Sequence, residues 1–536
     1  MSWRNYLLLF LLSLGILLVV ASFQSAPGYM DAEYYFAGGL RLANGEGFSE
    51  LFLWNYLDDP AGLPHPSHSY WMPLASILAF LSLKLGDSFS FSAGRSGFIL
   101  VAACLSPLTA SMAYRFTPRR DAAWLAGILA LLPTFYLAYL PTSDTFGLYM
   151  VLGGLWLLTA AGPVSFNILP SLNFSPCLLG LISGLMHLAR ADGLVWLGLS
   201  LLAALWLDEP TPSKVWQIRG RRSLACLLGY MLVMGPWLLR NQVLFGSLLS
   251  PGGGSALWFV TYNDLYAYPA NLFTFKRWWE SGVASILNAR LWALGQNLLS
   301  FLVVQGEIFL APLIILGLWR LRAYRSVRLG TLAWALILAI MSLVFPFAGA
   351  RGGFFHSAAA VQTLFWAAVP AGLDSFVEWG RRRRSWKVEQ ARRFFEVGVI
   401  SLALVLSIVI LKRRVIGTEW GSPIWNETQT RYVDLGKVVG EAGMRHGEIT
   451  MVNNPPGYYL VTREPSIAIP DGGVSTLLAA GRKYGARYVL LESNHPDGLD
   501  GLYNDPKDRP GLNYLKSSDD AHLFEIIQES TTGEDG

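Results

Sequence analysis

The chain has 536 residues, 53% hydrophobic and only 15% charged, with 20 Trp and a formal net charge of +4. A soluble domain carries roughly a quarter charged residues, so this composition excludes an ordinary soluble enzyme and reads as a polytopic membrane protein. The positive surplus is no nucleic-acid signature, because Lys and Arg sit beside apolar spans instead of forming one basic face. Cys104, Cys177 and Cys226 all lie in apolar stretches, which argues against a disulfide framework or a Cys metal site.

In chain order, Trp3-Arg4 opens on an apolar run at 5–22. Because further spans follow, it reads as an uncleaved first helix and not as a signal peptide. The apolar pattern then predicts spans at 95–114, 122–140, 147–161, 177–190, 194–206, 223–240, 297–319, 330–348, 358–375 and 395–411, about 11 helices in all with the first. Among them 147–161 and 194–206 are shorter than the roughly 20 residues that a straight crossing needs. The stretch 70–85 is nearly long enough to cross, yet counting it as a span would invert every later basic cluster. Tyr70, Trp71 and Lys84 at its ends suit an interfacial segment instead.

Basic clusters fall at Arg4, at Arg115/Arg119/Arg120, at Lys214/Arg219/Arg221/Arg222 and at Arg320/Arg322/Arg325/Arg328. The last comprises residues 381–384 with Lys387, Arg392 and Arg393. An even number of apolar stretches separates consecutive clusters, so all of them can be cytoplasmic. The N-terminus is then cytoplasmic, and the loops 23–94, 141–147, 190–193, 241–296 and 351–357 share the outer face. Residues 1–411 form the membrane domain. Residues 415–536 contain no long apolar run; a strand at 488–491, a helical stretch at 430–445 and turns at Asn454-Pro455-Pro456-Gly457 and Asp471-Gly472-Gly473 predict a small extracytoplasmic α/β domain. The predicted fold is an α-helical polytopic membrane protein carrying a soluble α/β domain at its C-terminus.

Chemistry-bearing residues concentrate in the loops assigned outside. Asp31 and Glu33 follow the first span directly. Read locally, Asp31 caps a short helix and Glu33 is a first-turn carboxylate favoured by the helix dipole. An acidic pair abutting a span also suits a catalytic role. His65 and His68, in His65-Pro66-Ser67-His68-Ser69-Tyr70-Trp71, lack a completing Cys or carboxylate for a metal set and suit contact with a phosphate. Arg190 and Asp192 either satisfy each other or bind substrate. Arg351, between Ala350 and Gly352-Gly353, allows close ligand approach, and His356 follows it. Arg240 is a cation at an outer span end, against the inside-positive trend, and asks for an anion. Asp144 in Pro141-Thr142-Ser143-Asp144 is a further external carboxylate, and with Asp31 a candidate ligand for a divalent cation.

This ordered set resembles the GT-C superfamily of membrane glycosyltransferases. The signals are the acidic pair after the first span, His65-Pro66 followed by Tyr70-Trp71, the Arg190-Ala191-Asp192-Gly193 turn, and Pro236-Trp237-Leu238-Leu239-Arg240-Asn241 before Phe245-Gly246. The likeness covers roughly residues 5–375 and is nearest to bacterial relatives of protein O-mannosyltransferases and of the lipid A aminoarabinose transferase. The resemblance implies transfer of a sugar, hexosyl or pentosyl, from a polyprenyl-phosphate carrier to a protein, lipid or glycan acceptor at the outer face of the plasma membrane. It places the catalytic Asp on Asp31, although Ala32 separates Asp31 from Glu33 where the family has adjacent acids. It matches His65-Pro66 to a basic-Pro element and Arg351 or His356 to cations near the carrier phosphate. A lipid phosphate is already a good leaving group, so the chemistry needs a base and positive charge more than a general acid. Asp31 and Glu33 project to different sides of a helix, which favours direct, inverting displacement over a covalent route needing a second carboxylate about 5 Å away. No cofactor is required; a divalent cation is compatible.

Two other readings stand beside this one. A transporter or flippase for a lipid-linked or anionic substrate predicts charged residues near the midplane and paired broken helices. Gln305 and Glu307 are the main polar residues inside a span, but no internal repeat accompanies them. A degenerate relative whose C-terminal domain binds a ligand would be expected to have lost Asp31, which is present.

Overall fold

The computed structural model describes residues 1–162, 175–205 and 215–527. Lys214, residue 206 at the end of the 194–206 span and residues 528–536 of the C-terminal domain lie outside the described residues. The chain divides into two units. The first comprises Met1–Ser25, Trp71–Ser250 and Leu287–Ile424, and the second Ala26–Tyr70, Pro251–Ile286 and Trp425–Gly536.

The first unit is helical. Among the described residues six helices are long and apolar enough to cross a membrane: Trp3–Ser22, Phe91–Phe116, Val215–Phe245, Arg325–Val344, Pro346–Arg384 and Val388–Ile416. Shorter apolar helices run over Leu74–Leu85, Thr145–Ala160, Ser175–Ala189, Ala191–Leu205 and Ala311–Arg320. Leu7, Leu8, Leu11 and Leu12 on the first helix, and Val397, Leu402, Val405 and Ile408 on the last, are exposed. Such continuous apolar faces match lipid and not water. Trp156, Trp196 and Trp366 fill the interior, where Trp156 Nε1 donates to Ser200 Oγ at 2.7 Å. Glycines set close helix crossings. A Cβ on Gly317 would lie 2.1 Å from the Ala368 carbonyl oxygen, and one on Gly372 would lie 1.9 Å from that of Leu313, so these two helices meet backbone to backbone.

Several segments depart from the straight spans expected. The 122–140 span is α-helical only over Arg120–Leu131 and then forms a 3-10 turn at Thr134–Tyr136; Pro133 cannot continue the hydrogen-bond ladder. The 297–319 span ends its first part in a wide turn at Phe301–Gln305 and passes through Glu307 and Ile308 at φ 47° and 67° before resuming at Ala311–Arg320. Non-helical backbone at membrane depth must be satisfied by neighbouring protein. Here Gln362 Nε2 donates to the Gln305 carbonyl at 3.0 Å and Trp366 Nε1 to Glu307 Oε1 at 2.7 Å. The 351–357 loop is instead helical, a wide turn at Gly349–Gly353 running into Phe354–Ser357. The 70–85 stretch forms the helix Leu74–Leu85, whose Ser82 Oγ accepts from Gly97 N at 3.1 Å.

Three basic clusters meet at one end of this unit. Asp374 Oδ1 pairs with Arg119 at 3.3 Å and Arg392 at 3.0 Å, and Tyr324 OH donates to the Phe116 carbonyl at 3.1 Å.

The second unit is an α/β sandwich. Strands are numbered β1 (Ser49–Glu50), β2 (Phe52–Leu53), β3 (His65–Pro66), β4 (Ile449–Val452), β5 (Ser466–Ala468), β6 (Ala486–Glu492), β7 (Leu512–Ser518) and β8 (Ala521–Ile526). The main sheet runs β2-β5-β4-β6-β8-β7, parallel from β2 to β6 and closed by an antiparallel β7–β8 hairpin. Side chains along a strand alternate between faces. Val489 and Leu491 of β6 therefore pack with Leu477 and Ala480 of the helix Val474–Tyr484, while Tyr488 and Leu490 pack with Tyr432 and Leu435 of the helix Glu427–Glu441. β2, from near the start of the chain, adds an edge strand with Phe52 opposite Ser466. A separate two-stranded ribbon pairs β1 with β3, with Glu50 opposite His65.

Candidate functional site

In the helical unit the sequence candidates cluster around the segment 352–357. Asp144 is the extended N-cap of the helix Thr145–Ala160 and is 2% exposed. One of its oxygens accepts from the Thr145 amide and from Thr145 Oγ1. The other faces His356 Nε2 at 3.2 Å. His356 lies against Phe146, rings stacked at 4.0 Å and 18°, and its Nδ1 meets the Gly352 carbonyl at 3.0 Å. A carbonyl only accepts, so Nδ1 carries a proton. A neutral imidazole then presents the Nε2 lone pair to a carboxylate oxygen, and two acceptors at 3.2 Å need a proton or a cation between them. A carbonyl on one ring nitrogen with the other nitrogen beside a carboxylate is also the usual setting of a metal-ligating His.

The same segment is clasped on its other side. Arg190 Nε donates to Asp192 Oδ1 at 3.0 Å and its Nη2 to Ser357 Oγ at 3.3 Å, while Tyr149 OH donates to Asp192 Oδ2 at 2.9 Å. Arg190 and Asp192 thus satisfy each other and fix the end of the 354–357 turn. Tyr136 stacks on Phe355 at 5.0 Å and donates to its carbonyl at 3.2 Å. Arg351, part-buried, lies one residue before Gly352, whose φ of 131° is open to glycine and strained for other residues. Arg240 has its guanidinium 4.3 Å over Trp237 and 5.7 Å from Phe245.

In the α/β unit the helix Met30–Ala43 is capped by the extended backbone of Tyr29, not by Asp31. Asp31 sits in the first turn, where the helix dipole favours a carboxylate, and is part-buried. Glu33 points elsewhere: it is 2% exposed, and its Oε2 accepts from Asn454 Nδ2 at 2.6 Å. Burial pushes the Glu33 carboxyl up to about 7, against the pull of the Asn454 bond and with a smaller push from Asp31. Asn454 also caps the helix Pro455–Thr462 through Gly457 N at 3.3 Å. An Asn before Pro-Pro is a legible cap signal, but no local pattern in the sequence reveals a partner more than 400 positions away. His65 is engaged by Asp58, Nε2 to Oδ2 at 2.7 Å. His68 is 1% exposed, held at φ 65° with Nδ1 on Ser67 Oγ and its ring edge-on to Tyr34 and Phe48. Its amide donates to Tyr34 OH at 2.7 Å. Asp58, Asn454 and Tyr149 are the polar partners that the sequence reading did not include.

No family model matches the chain, and no curated protein matches it in sequence. Solved structures do. ArnT from Cupriavidus metallidurans bound to undecaprenyl phosphate is 12% identical with a TM-score of 0.52, over 99% of this chain and 100% of that one. The archaeal oligosaccharyltransferase AglB from Archaeoglobus fulgidus, in complex with an inhibitory peptide and a dolichol-phosphate, is 12% identical with a TM-score of 0.50, over 91% of this chain and 70% of that one. The Archaeoglobus fulgidus oligosaccharyltransferase in complex with Zn and sulfate is 13% identical with a TM-score of 0.51, over 89% and 67%. At such identity the likeness is one of fold alone, shared with these membrane-enzyme structures.

Proposed function

We propose that this chain is a polyprenyl-phosphate-sugar-dependent glycosyltransferase acting at the outer face of the plasma membrane. The observation that carries the reading is the likeness to ArnT over essentially the whole of both chains. The retained acid at Asp31, after the first span, agrees with it. In the proposed reaction the acceptor hydroxyl oxygen attacks the sugar's anomeric carbon and its proton passes to the Asp31 carboxylate. The bond from that carbon to the phosphate oxygen breaks, and the electron pair leaves with the polyprenyl phosphate. One base and one attacking oxygen give inversion.

Arg351 and His356 are assigned to the carrier phosphate, where positive charge counters the charge that develops on the leaving oxygen. Glu33, buried on Asn454, is assigned a positioning role: it ties the helix that carries Asp31 to the turn at 454–457. Arg190 and Asp192 hold the 354–357 turn. The Asp144–His356 pair has the donor set of a divalent-cation site, as the proton accounting above requires a cation or a proton there. When bound, such an ion would supply positive charge toward the carrier phosphate.

The test is mass spectrometry of cell-envelope glycans, glycolipids and glycoproteins with and without the gene, together with the Asp31→Asn variant. A sugar modification should vanish with the gene and fall at least about 100-fold with Asp31→Asn, the range of a lost general base, at unchanged protein level. Because the helix is capped by Tyr29 backbone, the substitution removes no cap. Near-normal transfer by the variant would remove Asp31 as the base, and an unchanged envelope in the deletion would overturn the function.

A further inference from the structure

The helix Met30–Ala43, which carries Asp31, is held at both ends by residues from the C-terminal part of the chain, and all of them belong to the second unit. At its start, Trp425 Nε1 donates to the Ala26 carbonyl at 3.1 Å, and the Trp425 ring stands edge-on to that of Tyr29 at 5.8 Å and 87°. Between these two contacts Gly28 sits at φ 89°, a conformation that favours glycine. A Cβ there would lie 2.3 Å from Trp425 Nε1, so the indole fills the space that a side chain at 28 would need. In the first turn Asn454 Nδ2 donates to Glu33 Oε2, and in the last turn Arg41 Nη1 donates to Tyr459 OH at 3.1 Å.

The three contacts act on different parts of the helix. Those of Asn454 and Tyr459 oppose sliding and tilting of the helix body. That of Trp425 acts on the residues before the first turn. Tyr29 is the extended N-cap, and its carbonyl accepts from Glu33 N at 3.0 Å. Asp31 is the second helical residue, so the direction of its carboxylate follows from the backbone that Trp425 fixes at 26–29.

We propose that the C-terminal α/β residues splint the Asp31 helix, and that Trp425 is the positioning residue that sets the direction of the Asp31 carboxylate. The proposal rests on the reading of Asp31 as the base. A reacting group misplaced by about 1 Å can lose roughly 100-fold in rate, so a ring that fixes the backbone beside the cap can govern transfer through that backbone alone.

Two variants test it. Trp425→Phe keeps an aromatic ring beside Tyr29 and removes the N–H donor, and Trp425→Ala removes both. Hydrogen–deuterium exchange of the full-length protein in detergent reads the start of the helix without any substrate. Amides of 26–33 should exchange about twofold to tenfold faster in Trp425→Phe, the range of one lost hydrogen bond, and faster still in Trp425→Ala. Those of the strand Ala486–Glu492 should keep their wild-type rates. In cells, the envelope sugar modification that disappears with the gene should fall by a similar factor in Trp425→Phe at unchanged protein level. A merely structural role would instead lower the protein level and leave the modification per molecule as it was, which overturns the proposal. Should Trp425→Ala fail to accumulate, Trp425→Phe decides. Wild-type exchange at 26–33 in Trp425→Phe overturns the splint whatever the chain transfers. Faster exchange with intact modification overturns the positioning role if Asp31→Asn abolishes the modification. If Asp31→Asn spares the modification as well, the reading of Asp31 as the base has failed, and the positioning role falls with it.

Discussion

At the residue scale the two acids of the helix Met30–Ala43 separate by environment. Asp31 stays in the first turn, whereas Glu33 is buried against Asn454 with its carboxyl raised to about 7 from an ordinary value of 4.5. A carboxyl raised in the folded state binds its proton more tightly there than when unfolded. The stability this confers is full below about pH 4.5 and is lost as pH rises to about 7. A shift of that size corresponds to roughly 3 kcal/mol at 1.36 kcal/mol per pH unit. Thermal unfolding of the purified protein should therefore fall between pH 4.5 and 7 in wild type and be flatter in Glu33→Gln, whose amide oxygen still accepts from Asn454. Parallel pH profiles would remove Glu33 as the titrating group. The proposed role of Arg351 makes a second prediction. Arg351→Ala should weaken use of the carrier by about tenfold or more, the range of a charge-assisted hydrogen bond, and Arg351→Lys should lose less because the charge remains. A rise in KM with steady kcat would mean that the ground-state phosphate is gripped, and a fall in kcat that the leaving group is stabilised. Equal activity of all three proteins would return Arg351 to a structural role.

At the element scale, short helices and breaks are held in place by close backbone contact and by side chains that replace missing helix bonds. Gly317 and Gly372 lie on the helices Ala311–Arg320 and Gln362–Arg384, and each faces a carbonyl of the other helix so closely that an added Cβ would fall far inside van der Waals contact. Gly317→Val or Gly372→Val should push these helices apart and cost about 1–3 kcal/mol or more, read as loss of the monodisperse peak in size-exclusion chromatography. A Cβ on Gly295 meets nothing within 4 Å, so Gly295→Ala should be neutral or slightly stabilising through helix propensity. Equal behaviour of the three variants would show that the crossing tolerates separation.

At the scale of the whole molecule, the clusters at 115–120, 320–328 and 381–393 gather at one end of the helical unit, and the inside-positive orientation drawn from their alternation is a proposal that places that end in the cytoplasm. Reporter fusions at Gly220 and after Leu411 test it: the first should report a cytoplasmic position and the second an extracytoplasmic one. A cytoplasmic signal from the second would mean that the number of crossings differs by one, with the helix Leu74–Leu85 the first to re-examine.

The sequence by itself determined the membrane class, the predominance of apolar helices and the α/β character of the C-terminal residues, because these rest on composition and on periodicities of a few residues. It also singled out Asp31, Asp144 and His356, since charged groups beside apolar spans stand out without any knowledge of their neighbours. Tertiary structure alone decided who meets whom. The pairing of Asp144 with His356 joins positions 212 apart, and the burial of Glu33 on Asn454 joins positions 421 apart. The addition of residues 52–53 to the sheet of the C-terminal residues and the break at Glu307, made tolerable by Gln362 and Trp366, are of the same kind. Each depends on desolvation and hydrogen-bond satisfaction between segments that the chain brings together only on folding, and nothing local in either segment encodes its partner.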